Sequence, residues 1–125
     1  MQKLSHNDAH ETEEVILTKA LKKAATYWEI NNKQLGEVCG LSEATISRLK
    51  NDQYILDYNS KQWQLAVIFL RIFRGLDAYM GGDIENEKIW LKANNRALGG
   101  IPIDLMRNVE GLISVVQYID YMRGH

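Results

Sequence analysis

An all-α fold in two helical halves is predicted by three features of this sequence. Apolar residues recur three and four apart through most of the 125 residues, the period of helices buried along one face. Glycines fall at the ends of those runs, and the one proline, Pro102, opens a run rather than interrupting it. The stretch LGEVCGLSEATISRLK, residues 35–50, stops a helical pattern at a glycine and restarts it behind a serine, the order of a helix-turn-helix.

The first amphipathic helix is predicted from Glu13 to near Ile30, with Val15, Ile16, Ala20, Leu21, Ala24 and Ala25 inward and Lys19, Lys22 and Lys23 on the other side. Asn31 or Asn32 can cap a short second helix carrying Leu35, Val38 and Cys39 inward, and Gly40 ends it by taking the left-handed conformation. Ser42 caps a third helix with Ile46 and Leu49 apolar. KNDQYILDYNS loses the period and reads as a loop, after which Ser60 opens a long helix to about Met80. That helix is apolar around most of its circumference, from Trp63 to Leu76, so it must pack on both halves of the protein or across a dimer axis.

Gly81 and Gly82 stop the long helix, and Asp83 can cap the next, through IENEKIWLKAN. ALGGIP is a further break, with Pro102 as the first residue of a short helix, where its missing N–H costs nothing. Asn108 caps the last helix, striped by Val109, Leu112, Ile113, Val116 and Ile119. The chain divides accordingly into a flexible tail (1–12), a helix-turn-helix region (13–59), a connecting helix (60–82) and a second helical half (83–125).

Composition narrows the class of function. The longest uncharged apolar run, WQLAVIFL, is far short of the roughly 20 residues a membrane span needs. No basic and then apolar leader precedes the first helix, so the expected location is cytoplasmic with no membrane partner. The net charge of −1 hides an asymmetry: between Thr18 and Lys50 six cations (Lys19, Lys22, Lys23, Lys33, Arg48, Lys50) face three anions (Glu29, Glu37, Glu43). A nearly neutral chain can still present a basic face.

In a helix-turn-helix the second helix presents its outer face to the major groove while its inner face locks onto the first. Gly36 is small enough for that crossing, Gly40 makes the turn, and Leu35, Cys39, Leu41, Ile46 and Leu49 fall at the apolar anchors. Left outward are Glu43, Ala44, Thr45, Ser47 and Arg48, short polar groups and one arginine suited to base edges and phosphates. With Lys33, Ser42 and Lys50 they form the candidate DNA-binding set. The same corner also suits a helical hairpin in a bundle, which would make the chain a protein-interaction adaptor that does not bind DNA.

The runs LSEATISRLK, LDYNSKQWQLA, RIFRGLDAYMGGD and NRALGGIPIDLMRNVEGLISVVQYIDYMRG resemble the Xre-type antitoxins of the Xre/MbcA/ParS family. The likeness runs from about Val15 to Gly124. It is most specific at the C-terminal end, where Trp90, Asn95, Ala97, Leu98, Gly99, Gly100, Pro102, Gly111, Tyr118, Arg123 and Gly124 occur in order. Asn94 stands where members often have proline, and His125 where a basic residue is common. The resemblance implies a phage-repressor-like N-terminal half that represses its own operon by binding the operator. It implies a C-terminal half that forms a homodimer and covers an NAD-degrading RES-domain toxin. Trp90, Asn95, Arg96, Tyr118, Tyr121, Arg123, Gly124 and His125 are the toxin-binding residues it points to, with the chain's end nearest the toxin's cleft.

Other chemistry finds little support in the residues. His6 and His10 have the spacing of two metal ligands on a helix but no third ligand, and they read as part of the tail. Cys39 sits at an apolar anchor and reads as a packed thiol. GGD at 81–83 and LGG at 98–100 lack the strand a phosphate loop follows. No enzyme, cofactor or metal is expected.

Overall fold

The computed structural model describes residues 9–124; His6, His125 and most of the expected tail lie outside them. Among the described residues run seven helices: α1 (Glu11–Tyr27), α2 (Asn32–Cys39), α3 (Glu43–Lys50), α4 (Lys61–Tyr79), α5 (Ile84–Lys92), α6 (Pro102–Leu105) and α7 (Val109–Met122). Their starts follow the expected caps. Asn31 and Gln34 form a reciprocal capping box, and Ser42, Ser60, Asp83 and Asn108 each accept a backbone N–H from the first turn of α3, α4, α5 and α7. Pro102 is the first residue of α6.

α1 departs from its expected form at both ends and on its face. It starts at Glu11, inside the stretch expected to be tail, and the ring of His10 stacks on Tyr58 with centroids 3.6 Å apart. It ends at Tyr27 rather than near Ile30, because Trp28 turns into the core and Glu29 takes a positive φ of 54°. Ile16, expected inward, is exposed, whereas Glu14 and Thr18 are buried. The reason lies in the loop 51–60. Glu14 accepts the backbone N–H of Tyr58 at 2.8 Å, and the Thr18 hydroxyl accepts that of Leu56 at 3.0 Å. Buried backbone donors need such partners, so two polar residues displace an apolar one from the inner face.

α4 is the spine. It packs on α1 and α2 on one side and on α7 and α5 on the other, which accounts for much of its all-round apolar character. Its buried Ala66, Phe69, Leu70, Ile72 and Leu76 belong to a single core that also takes in Leu21, Leu35, Ile46, Leu49, Leu91, Met106, Leu112 and Ile119. α6 and α7 meet at Gly111, where a Cβ would stand 1.8 Å from the Leu105 carbonyl oxygen. No side chain fits there.

Candidate DNA and toxin interfaces

The α2–α3 corner is built by two glycines. A Cβ on Gly36 would lie 2.4 Å from the Leu41 carbonyl oxygen, so only glycine permits the approach of the two segments. Gly40 takes φ 73°, and Leu41 N–H donates to the Gly36 carbonyl at 2.8 Å. Leu35, Val38, Cys39, Ile46 and Leu49 are buried behind the corner. Burial pushes the Cys39 thiol up to about 12, which removes the thiolate that nucleophilic chemistry requires.

On the outer side of α3, Ser42, Glu43, Ala44 and Arg48 are exposed, while Thr45 and Ser47, expected outward, are half-buried. Three of these side chains form a row along the helix. The Ser42 hydroxyl donates to Thr45 Oγ1 at 2.9 Å, and Arg48 Nη2 donates to the same oxygen at 2.9 Å. Arg48 is thereby held along the exposed face. Lys33 is exposed in the first turn of α2. Lys50 is the exception among the candidate contacts: its ammonium donates to the Ile30 carbonyl at 3.2 Å, and partial burial lowers its pKa. That bond closes the gap left where α1 ends, and it turns Lys50 inward.

In the C-terminal half, Trp90 on α5 and Tyr118 on α7 lie nearly parallel, with ring centroids 6.5 Å apart and both residues half-buried. Asn95 organises the turn between α5 and α6. Its N–H donates to the Gly100 carbonyl at 2.9 Å, its carbonyl accepts from Gly99 and Gly100, and its side-chain oxygen accepts from Leu98 N–H at 3.1 Å. The Asn95 carbonyl oxygen is therefore already engaged within the chain, and Arg96 is exposed in that turn, as are Ala97 and Gly99. Tyr121 is 79% exposed at the end of α7. Arg123, two residues on, is exposed, with its Cδ and one guanidinium nitrogen over Gly75 of α4, and Gly124 has φ 82°.

Sequence reasoning missed what joins the halves. The buried Trp28 indole N–H donates to Glu87 Oε1 at 2.9 Å across the two. Glu87 is itself wholly buried, its second oxygen finds no donor among the described residues, and the Asp77 carboxylate lies against its side chain. Burial first, and then Asp77, push the Glu87 acid up to about 7. Lys88 pairs with Glu29, and Arg107 with Glu37, across the same junction. Those hydrogen bonds hold the Glu29 and Glu37 carboxyls below the usual carboxylate range, although pairs so exposed contribute little stability. The periodic signal that would have found Trp28 is its place three and four residues after Ala25 and Ala24.

A glycine-built helix-turn-helix with a polar outer face, joined through one core to a second helical half, is the architecture of a helix-turn-helix protein with an added C-terminal region. A family model described as the antitoxin Xre-like helix-turn-helix domain matches residues 9–71, and one described as the antitoxin Xre/MbcA/ParS C-terminal toxin-binding domain matches residues 76–124. The first alone spans just over half the chain, and the protein belongs to the Xre-type antitoxins. No curated protein matches it. Neither matched domain is a catalytic family, and no helix among the described residues is long and apolar enough to cross a membrane.

Proposed function

We propose that this antitoxin neutralises an NAD-degrading RES-domain toxin by direct binding and, as a cytoplasmic homodimer, represses its own operon through α3. The observation that carries the reading is the pairing in one chain of a helix-turn-helix whose exposed arginine is pre-positioned with a C-terminal toxin-binding domain. The DNA contacts proposed are Lys33, Ser42, Glu43, Ala44, Thr45, Ser47 and Arg48. Lys50 is proposed as a further contact, through the two ammonium N–H groups that its bond to the Ile30 carbonyl leaves over. On the toxin side the exposed Arg96, Tyr121, Arg123 and Gly124 are proposed to touch the partner, with Trp90, Asn95 and Tyr118 shaping the surface from behind. His125 lies outside the described residues.

Arg48 gives the first test. If it reads a guanine with both guanidinium donors, Arg48→Ala costs about 1–3 kcal/mol of operator affinity and relaxes the preference at one base pair. A gel shift on the DNA upstream of the chain's own gene, with single-base variants, measures both. Unchanged affinity removes Arg48 from the interface, and no binding to that DNA by the natural chain leaves the helix-turn-helix as a packing corner of a protein-interaction adaptor.

Arg123 gives the second. A planar guanidinium suits a carboxylate in a toxin cleft, and Arg123 stands exposed beyond the last helical turn, with its Cδ and one guanidinium nitrogen lying over Gly75 of α4. Arg123→Ala is expected to reduce protection of cells that co-express the toxin, about tenfold or more in the antitoxin dose required, the size of a typical interface anchor. Operator binding and melting temperature stay unchanged. Full protection by the variant would exclude Arg123 as a toxin contact, and protection lost together with operator binding would make it a structural residue.

A further inference from the structure

The junction between the two halves buries an acid that the proposed contacts with DNA and toxin leave unused. Glu87 of α5 is wholly buried, and one of its oxygens accepts the Trp28 indole N–H from the end of α1 at 2.9 Å. The other oxygen has no donor among the described residues, and the carboxylate of Asp77, in the last turn of α4, lies against the same side chain. Two carboxyl groups in contact at a buried site do not both ionise near neutrality. A proton on Glu87 answers both problems at once. It gives the orphaned oxygen an O–H to donate to Asp77, and it removes one of the two like charges.

Among the described residues the elements packed around Glu87 offer it no cation. Asp83, the cap of its own helix, adds a further acid. Lys88, one residue on, is held by Glu29 at the end of α1 and by Glu85, and Arg107, which follows α6, is held by Glu37 and Asp104. The place in the fold gives a proton there a mechanical role. The Asp77 carbonyl accepts the Gly82 N–H at 2.8 Å, and α4 passes into α5 through Gly81 and Gly82, both exposed and at positive φ of 64° and 79°. A Cβ on either glycine would meet open space, so nothing packs on that turn and it lets α5 pivot. What fixes α5 on α1 is then the Trp28–Glu87–Asp77 contact, beside Leu91 in the core and the Lys88–Glu29 pair at the surface.

We infer that Glu87 and Asp77 hold one proton between them, and that this proton is a latch: held, it fixes α5 and the C-terminal half to the end of α1; lost to solvent, it lets them loosen. Burial first, and then Asp77, push the Glu87 acid from 4.5 up to about 7. The latch is therefore fully closed below the ordinary value and opens as pH rises through about 7. The proton belongs to the pair rather than to either acid, so a change at Asp77 alters the titration of Glu87. The device is built from the contact between the halves and stands whatever toxin or operator the chain engages.

Two measurements on the full-length chain test it. Carbon-13 NMR of the Glu87 side-chain carboxyl follows the proton. The natural chain shows a step near pH 7, and Asp77→Asn moves that step down by about one unit or more, because the like charge that held the proton is gone. Hydrogen exchange follows the latch. Corrected for the pH dependence of exchange itself, protection of the α5 amides falls about tenfold or more between pH 6 and pH 8, the factor that one pKa unit carries, while α2 and α3 keep theirs. Glu87→Gln, which cannot ionise, leaves α5 equally protected at both. A Glu87 step at its ordinary value, or one that Asp77→Asn leaves in place, overturns the shared proton. Equal protection of α5 at both pH values in the natural chain, or the same fall in Glu87→Gln, overturns the latch.

Discussion

Trp28→Ala is expected to lower folding stability by about 3–5 kcal/mol, the cost of deleting a large buried aromatic whose cavity cannot collapse. Trp28 is wholly buried, with the ring of Phe73 4.8 Å away at a tilt and that of Phe69 5.7 Å away edge-on. All three rings lie between the DNA-reading half and the spine helix, so little around the site is free to move in. The loss would be a large share of the 5–15 kcal/mol that holds a typical domain together. Trp28→Phe separates the two parts of the effect. It keeps most of the ring volume but removes the only donor that Glu87 has among the described residues, which costs about 1–3 kcal/mol for an orphaned buried polar group. Denaturant unfolding followed by circular dichroism measures both variants. A loss below about 1 kcal/mol for the alanine variant would show that the two halves do not depend on this side chain.

How far the sequence could reveal this architecture depends on the range of the interaction involved. Asn31, Ser42, Ser60, Asp83 and Asn108 were recognisable as caps because a cap and the N–H it satisfies lie within one helical turn. The Gly36–Gly40 corner was recognisable for the same reason. Glu14 and Thr18 were not, since what draws them inward is the backbone of residues 56–58, some forty positions away. Glu87 sits in the polar-looking stretch IENEKIW and reads as a solvated face, yet its partner is 59 residues upstream. Ile16 was assigned inward by period alone, although the stripe it belongs to is wider than the surface α4 covers. On the candidate interfaces, residue type pointed to Arg48 and Tyr121, which are exposed, and to Lys50, which also bonds the Ile30 carbonyl, whereas Asn95 came from the family resemblance and bonds the backbone of its own turn.

Glu87→Gln is expected to make the protein more stable at alkaline pH, an unusual result for removing a carboxylate. The acid's ordinary value is 4.5, and in the folded chain it is pushed up to about 7 by burial and by the Asp77 and Asp83 carboxylates. Folding therefore takes up a proton between those two values, so the contribution of Glu87 to stability is fully present below pH 4.5 and is lost as pH rises through about 7. Above that, ionised Glu87 faces the like charge of Asp77 at a buried site, with one oxygen lacking a donor among the described residues. Glutamine keeps the shape, still accepts from the Trp28 indole and presents an amide N–H toward Asp77. At pH 8 the variant should be the more stable of the two chains, while at pH 4 the two should be about equal. Comparing the two chains across pH cancels the other titrating groups they share. Parallel stability profiles would mean that Glu87 ionises freely and that water or a movement of Asp77 relieves the pair. A converging profile would identify the Trp28–Glu87 contact as the point where proton concentration acts on the link between the DNA-reading and toxin-binding halves, and operator affinity of the two chains at pH 6 and pH 8 would then show whether the reader responds to it.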